Sequence, residues 1–494
     1  MSQFHSTMSR RQFMKVLGLA GVGGAALLAP QFHDLDELTS STGAQWKRPW
    51  WVKHREFEDP TIEIDWNLMQ RFDGRNGAQA ARTRAIYYGK DRVLNETTTG
   101  TKNTSDRMAA KMSGYTHKSR ALELAFKRVA GTFGWAETTV PAPSQTPDQL
   151  GFPKWTGTQE EAGIMLRAAM RLYGAALVGY GELSQKLRDK VVFTYEKGTS
   201  TVNQYIEPAW PPPANVARPI VFETVDKAYE TNSKLVIPTK ELWEISLSTP
   251  GSNELFRFAP NQGLNNGNTF YNTANLHAST WNFLRMLGYQ IIGTIGNDSN
   301  YMGSEASGAV LNGLAESSRN NLYSLMPETG APGRLYNMAT DLPVEPTKPI
   351  DAGMWRFCHS CKKCANACPP GVISKDNQPA WDIPSIDGKP MIFHRPGVKA
   401  FWSNLAGCRL YANEEGNACR TCWGACTFTV NSSALVHTVV KGTIATTGLF
   451  NSFLFNMAET FGYGNKDAEE VWDMSLPVLG QDSTRVSWTG GYRK

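Results

Sequence analysis

The sequence predicts a mixed core of helices and strands, of the α/β or α+β class, followed by a compact cysteine-rich domain. Three observations carry this. A helix–glycine–strand unit occurs at 161–179 and again at 276–293. All eight cysteines fall between Cys358 and Cys426, and none precedes them. The composition, 41% hydrophobic and 19% charged over 494 residues, is that of a folded chain and excludes wholesale disorder. The formal charge of +5 includes Arg10, Arg11 and Lys15 near the N-terminus, so the remainder is nearly neutral. With no Lys/Arg stripe, that argues against a nucleic-acid partner. Fifteen Trp, sixteen Tyr and 22 Phe supply either a bulky core or an apolar pocket.

Taken in order, Ser9–Lys15 reads Ser-Arg-Arg-Gln-Phe-Met-Lys and precedes a Gly/Ala-rich apolar run from Val16 to Pro30. This is the twin-arginine export pattern, and residues 1–30 are read as a signal peptide with processing near residue 30. The run is too short for a stable membrane span. Twin-arginine export carries folded proteins, which suits a chain that receives its cofactors in the cytoplasm. Residues 31–150 form an N-terminal region, partly irregular. It holds Trp46, Trp50 and Trp51, and its polar stretch 75–120 is expected to be exposed and irregular. Pro141 to Pro153 reads as a linker or turn.

Residues 151–345 hold the periodic core. Met165, Ala168, Ala169 and Leu172 recur at i, i+3, i+4, i+7, which predicts a helix with Gly174 as its cap. Ala175–Gly179 then reads as a buried strand. Leu276, Phe283, Leu284 and Leu287 form a second helical stripe, followed by Gly288 and the strand Tyr289–Gly293. The proline-rich stretch 202–220 is irregular, Val236–Leu247 reads as a short strand or helix pair, and 294–333 reads as long loops of the kind that carry sites.

Residues 346–430 carry the chemistry. Cys358-x2-Cys361-x2-Cys364-x3-Cys368-Pro369 is the run that wraps a 4Fe–4S cubane and sends its fourth cysteine to a second cluster. Cys408-x10-Cys419-x2-Cys422-x3-Cys426 repeats it with a stretched first gap and Thr427 in place of the proline. The crossover rule assigns Cys358, Cys361, Cys364 and Cys426 to one cluster, and Cys408, Cys419, Cys422 and Cys368 to the other. Disulfides and zinc are the alternatives. One cysteine every three residues is poor disulfide geometry, and zinc explains the proline less well.

With these motifs in hand, the chain resembles the respiratory corrinoid-dependent reductive dehalogenases, most closely those of organohalide-respiring Chloroflexi that act on chlorinated ethenes. The resemblance rests on the Ser9–Lys15 signal and on Pro49-Trp50-Trp51-Val52-Lys53, Glu58-Asp59-Pro60-Thr61 and Ile64-Asp65-Trp66. It continues through Thr340-Asp341-Leu342-Pro343, Pro349-Ile350-Asp351-Ala352-Gly353, both cysteine runs, and Phe461-Gly462-Tyr463-Gly464. Residues 67–150 resemble the family least. The resemblance implies a nitroreductase-like core binding a cobalamin-type corrinoid, base-off and mostly through backbone groups. Beside it would lie a ferredoxin-like domain with two 4Fe–4S clusters, and residues 431–494 would pack on the core. It implies Tyr271 as proton donor, Arg334 as its basic partner, and Asn297 as a polar group at the substrate or halide. It also implies a small organohalide substrate, a small integral-membrane anchor subunit, a quinone- or hydrogenase-linked electron donor, and a place on the outer face of the cytoplasmic membrane. Two other functions compete: an exported two-cluster ferredoxin-type electron carrier, and a corrinoid enzyme like epoxyqueuosine reductase. A carrier does not need some 300 residues ahead of its clusters, and a tRNA-acting enzyme favours a basic face.

Overall fold

In the computed structural model, the chain is described at residues 48–128, 143–198, 209–211, 217–253, 255–259, 273–293, 303–331, 333–416, 419–429, 435–460 and 462–473. The signal segment, Trp46, Tyr271 and Asn297 lie outside the described residues. No described helix is long and apolar enough to cross a membrane.

The stretch 75–120, expected to be exposed and irregular, is instead largely helical. It contains α1 (Ala81–Tyr88), α2 (Lys90–Ala109) and the start of α3 (His117–Arg128). Apolar anchors are few because the buried face is made of small residues and one ion pair. Ala81, Ala85 and Val93 pack on Leu410. At Gly100, α2 runs so close to the segment ending at Gly416 that a Cβ would lie 2.1 Å from the Asn413 carbonyl oxygen. Arg84 and Glu96 are 0% and 1% exposed. They pair through two contacts, Nη2 to Oε1 at 2.5 Å and Nε to Oε2 at 3.0 Å. A buried charge tolerated because it is paired leaves no hydrophobic period to read.

The core is built from α4 (Gln159–Leu172), β1 (Leu177–Glu182), β2 (Trp243–Thr249), α5 (Thr273–Leu287), β3 (Ile291–Ile292), α6 (Glu305–Leu311) and β4 (Arg334–Thr340). Both helix–glycine–strand units close with the same cap. Gly174 (φ +107°) and Gly288 (φ +92°) take the left-handed position. In the first, Gly174 N–H donates to Arg171 O and Ala175 N–H to Met170 O; in the second, Gly288 N–H donates to Arg285 O and Tyr289 N–H to Leu284 O. These are Schellman turns. The stripe expected on α4 is rotated by one position. Ala162, Leu166, Ala169 and Met170 are buried, while Leu172 is 86% exposed. The Schellman turn explains the rotation: it brings the residue after the glycine back over the Met170 turn, so Met170 faces the core.

The strands order as β1-β2-β4-β3, antiparallel throughout, which makes this core α+β. Within 236–247 the chain forms two strands rather than a helix. One is Leu235–Pro238, which pairs with Ile220–Glu223 and Tyr229–Glu230 in a second, smaller sheet; the other is β2. One face of the main sheet carries Val178, Tyr180, Ile245, Leu247, Tyr336 and Met338 against α4 and α5. Its other face is equally buried and carries a polar network beside an apolar cluster of Leu177, Leu314 and Leu335. Asn312 Nδ2 donates to Glu244 Oε2 at 2.7 Å and to Ser246 Oγ at 2.9 Å, and Ser246 Oγ donates to Asn337 Oδ1 at 3.1 Å. Gly181 makes room for this, since a Cβ there would sit 2.1 Å from Asn312 Oδ1. The described part of 294–333, expected as loops, therefore includes α6 and much buried chain packed on this polar face.

Burial pushes the Glu244 carboxyl up to about 7, against the opposing pull of its Asn312 hydrogen bond. Folding therefore favours the protonated form. Its contribution is complete below the ordinary carboxylate value and is lost as pH rises through about 7. A Glu244→Gln variant is expected to match the native chain near pH 4. It should exceed it by about 3 kcal/mol above pH 7 in denaturant unfolding. A difference that stays flat across this window would refute the assignment.

The cysteine region shares a core with the N-terminal segment. Lys53–His54 pairs with Ile350–Asp351, and Trp51 and Ile62 join Trp355, Phe357, Cys358 and Phe401 in one apolar cluster. Here lie the short helices Met354–Cys358 and Lys363–Asn366, α7 (Leu405–Glu414) and the short helix Thr421–Gly424. α8 (Leu435–Thr446) and α9 (Asn451–Thr460) pack on the same cluster through Ile444, Ala445 and Leu454. Arg356 Nη2 donates to Ala445 O at 2.8 Å, and the buried Lys441 Nζ to Pro327 O at 2.9 Å.

Candidate functional site

The eight cysteines are free of disulfides and gather in two groups. Cys358 ends a helix whose start is held by a buried carboxylate: Glu316 Oε2 accepts from Ala352 N–H at 3.0 Å and Met354 N–H at 2.8 Å. Cys358, Cys361, Cys364 and Cys426 line one small cavity of about 20 Å³. Burial pushes the Cys358 and Cys364 thiols well up, and the neighbouring thiols of the same four add to it. Burial pushes Cys426 up to about 12, with Cys361 adding to it. In the second group, burial pushes Cys408 up to about 12, with Cys419 and then Cys368 reinforcing it. Burial also raises Cys422, beside Cys408 and Cys419.

Each run thus lends its last cysteine to the other group. The helices Lys363–Asn366 and Thr421–Gly424 pack on each other, which brings Cys426 to the first run. Such crowded buried thiols would ionise together only around a cation. A tetrahedral zinc would need four sulfurs about 2.3 Å from one point. Among the described residues no group of three or more His, Cys, Asp or Glu is placed to hold a single metal ion. The first four thiols surround a volume instead, the arrangement a cubane fits.

Tyr323 lies between the two groups. Its hydroxyl donates to Cys422 O at 3.4 Å, its ring is 4.3 Å from that of Trp423, and Trp423 stacks on Phe256 at 5.2 Å. Burial raises the Tyr323 phenol well above its usual value, and thiols of both groups reinforce the shift.

Beside the second group is a cavity of about 270 Å³. Arg334, at the start of β4, faces it together with Cys408, Arg409, Cys419 and Arg420. A more apolar cavity of about 320 Å³ adjoins it, walled by Ile64, Trp66, Phe72, Phe193 and Trp402 among others. The two share Gln79, Glu305, Ala306, Tyr323 and Ser324. Gln79 Oε1 and Glu305 Oε1 are buried without a hydrogen-bond partner among the described residues, acceptors suited to the amide-fringed edge of a large ligand. Arg395, in the apolar cavity, donates to Val191 O at 3.2 Å and Ser307 Oγ at 3.1 Å. Burial alone pulls its guanidinium down to about 10.

Of the expected site residues, the structure brings Arg334 to the cavity wall, with its guanidinium 5.9 Å from the Tyr336 ring centre. Thr273 Oγ1 lies 3.2 Å from the Tyr336 hydroxyl, so the start of α5 approaches the same ring. Tyr271 and Asn297 lie outside the described residues. Sequence reasoning missed Gln79, Glu305, Arg409 and Arg420. The two arginines adjoin Cys408 and Cys419 in sequence, a signal that was readable; Gln79 and Glu305 had none.

The sequence profile of a family described as "Reductive dehalogenase subunit" matches residues 47–344. The chain is 30% identical to a chloroethene reductive dehalogenase of Dehalococcoides mccartyi (strain VS), over 98% of this chain and 99% of that one. It is 27% identical to a trichloroethene reductive dehalogenase of another strain of that organism, over 97% and 98%. In three dimensions it is similar to a solved catabolic reductive dehalogenase in complex with 3-bromo-4-hydroxybenzoic acid, with a TM-score of 0.53, 15% identity and 84% of this chain covered. A solved reductive dehalogenase described as B12-dependent gives 0.54, 15% and 86%. The chain spans about half the length of these solved chains, 50% in each case, and the likeness is one of fold.

Proposed function

Since the chain belongs to the reductive dehalogenase family, oxidoreductases acting on carbon–halogen bonds, we propose that it removes chloride from chlorinated ethenes with a cobalt corrinoid and two 4Fe–4S clusters. The balance is R–Cl + 2e⁻ + H⁺ → R–H + Cl⁻. The observation that carries the reading is the placement of Arg334, Cys408 and Cys419 on one cavity wall, next to the two cysteine groups. The substrate class rests on the two chloroethene-type relatives.

When bound, the corrinoid supplies the low-valent cobalt that cleaves the carbon–halogen bond, and the clusters supply electrons singly. The chain's own residues bind, orient and shield. Gln79 and Glu305 would accept hydrogen bonds from the corrinoid's amide edge, and Arg395 would face its phosphate. Ile64, Trp66 and Phe72 would exclude water. Tyr271 would give the proton and Arg334 would favour the phenolate left behind, since a nearby cation stabilises that form against a pKa near 10. Asn297 would contact the substrate or the departing halide. A Tyr271→Phe variant is expected to lose about 100-fold in kcat with little change in KM; full activity would remove Tyr271 from this role.

The deciding experiment is anaerobic purification, with cobalt and iron counted per chain and chloride release assayed on chlorinated ethenes. One corrinoid, about eight iron atoms and chloride release support the reading. Iron without corrinoid after reconstitution, and no chloride, would favour an electron carrier. We also propose twin-arginine export and attachment to the outer face of the cytoplasmic membrane through a small integral-membrane subunit. Electrons would come from a quinone- or hydrogenase-linked donor. Fractionation of the native organism tests this.

A further inference from the structure

Arg319 is fully buried, and every hydrogen bond it makes among the described residues goes to a backbone carbonyl. Nε donates to Cys358 O at 3.0 Å and Cys361 O at 2.8 Å. Nη2 donates to His359 O at 3.1 Å. Nη1 donates to Ser374 O at 3.0 Å and Asp376 O at 2.8 Å. The guanidinium stacks 3.9 Å from the centre of the Phe401 ring. It borders the small cavity that Cys358, Cys361, Cys364 and Cys426 line.

Buried Arg188 is likewise held by backbone carbonyls, and what sets Arg319 apart is that its carbonyls belong to the cysteine loop; Arg84, by contrast, lies against a carboxylate. Arg319 forms no ion pair with one among the described residues. The groups it meets instead are Cys358, Cys361 and Cys364, on the small cavity whose wall it shares with them. A clamp alone could be made by any neutral donor, at a smaller burial cost than a charge.

We infer that Arg319 is a positioning residue for the cluster held by Cys358, Cys361, Cys364 and Cys426, shaping its loop and setting its reduction potential with a fixed buried charge. This rests on the iron–sulfur reading above. One-electron reduction adds one negative charge to a four-thiolate cluster. A buried cation nearby stabilises the reduced form and raises the potential, because the low-dielectric surroundings screen it little. Arg319 thus makes this cluster easier to reduce than its sulfur ligands alone would. The other cluster, across Tyr323 and Trp423, serves as an internal control.

The test is a potentiometric titration of the whole enzyme with dithionite, followed by electron paramagnetic resonance, on the native chain, Arg319→Gln and Arg319→Lys. In Arg319→Gln, one of the two cluster signals is expected to shift at least tenfold toward the oxidised form at fixed potential. That is about 59 mV for a one-electron couple. The other signal stays in place, and Arg319→Lys, which keeps the charge, stays within threefold. Equal shifts in both variants, or none in Arg319→Gln with iron intact, overturn the charge role. If Arg319→Gln loses iron, Arg319→Lys decides. Retained iron and potential support the inference, and loss of either overturns it. A native enzyme without cluster signals would instead defeat the iron–sulfur reading, a separate outcome.

Discussion

A Cys426→Ala variant is expected to bring iron down from about eight to about four atoms per chain and to abolish dehalogenation. The interest lies in which four are lost. Cys426 ends the second run in sequence, yet it borders the cavity of Cys358, Cys361 and Cys364. Burial and Cys361 together push it up. Adding Cys361→Ala to Cys426→Ala should therefore remove no further iron, because both belong to one site. Adding Cys419→Ala should remove the rest. Cys368→Ala should behave in mirror image, non-additive with Cys419→Ala and additive with Cys361→Ala. Iron analysis of these variants, with electron paramagnetic resonance of the remaining cluster, reads the pattern. Were Cys426→Ala and Cys419→Ala non-additive, each run would bind its own cluster and the exchange of last cysteines would be wrong.

The second large effect is expected at the buried ion pair between α1 and α2. Arg84→Met should leave the Glu96 carboxylate buried without its partner, and breaking such a pair costs about 3–5 kcal/mol. The loss should be local as well as global, because Arg84 Nη1 also donates to Gln79 O at 2.5 Å. Gln79 in turn lines both cavities. Hydrogen exchange across residues 81–109 should rise, and the melting temperature should fall. Replacing both partners, as Arg84→Met with Glu96→Leu, should recover much of the loss, since apolar pairs of similar volume often match buried ion pairs. Unchanged exchange in Arg84→Met would show that the pair does not hold α1 to α2.

Features encoded by sequence neighbours were legible before folding. The cysteine spacing of both runs is such a feature, and the two-cluster expectation was readable from it alone. The helix–glycine–strand units were legible because Gly174 and Gly288 each end a periodic stripe in the left-handed turn that only glycine adopts cheaply. Arg334 was legible through family resemblance, by its place before Thr340-Asp341-Leu342-Pro343. The stripe on α4 was legible only to within one position, because two adjacent helical faces satisfy the same spacing and the cap chose between them.

The tertiary structure alone decided where polar groups are buried. Arg84 and Glu96, Asn312 and Glu244, and Arg319 with the carbonyls around Cys358 are each satisfied by partners 12 to 68 residues away. A polar residue inside a fold looks in sequence like one on the surface, and only its partner makes burial affordable. That is why 75–120 read as irregular and 294–333 as loops. It is also why Arg319, 39 residues before the first cysteine it supports, carried no signal at all.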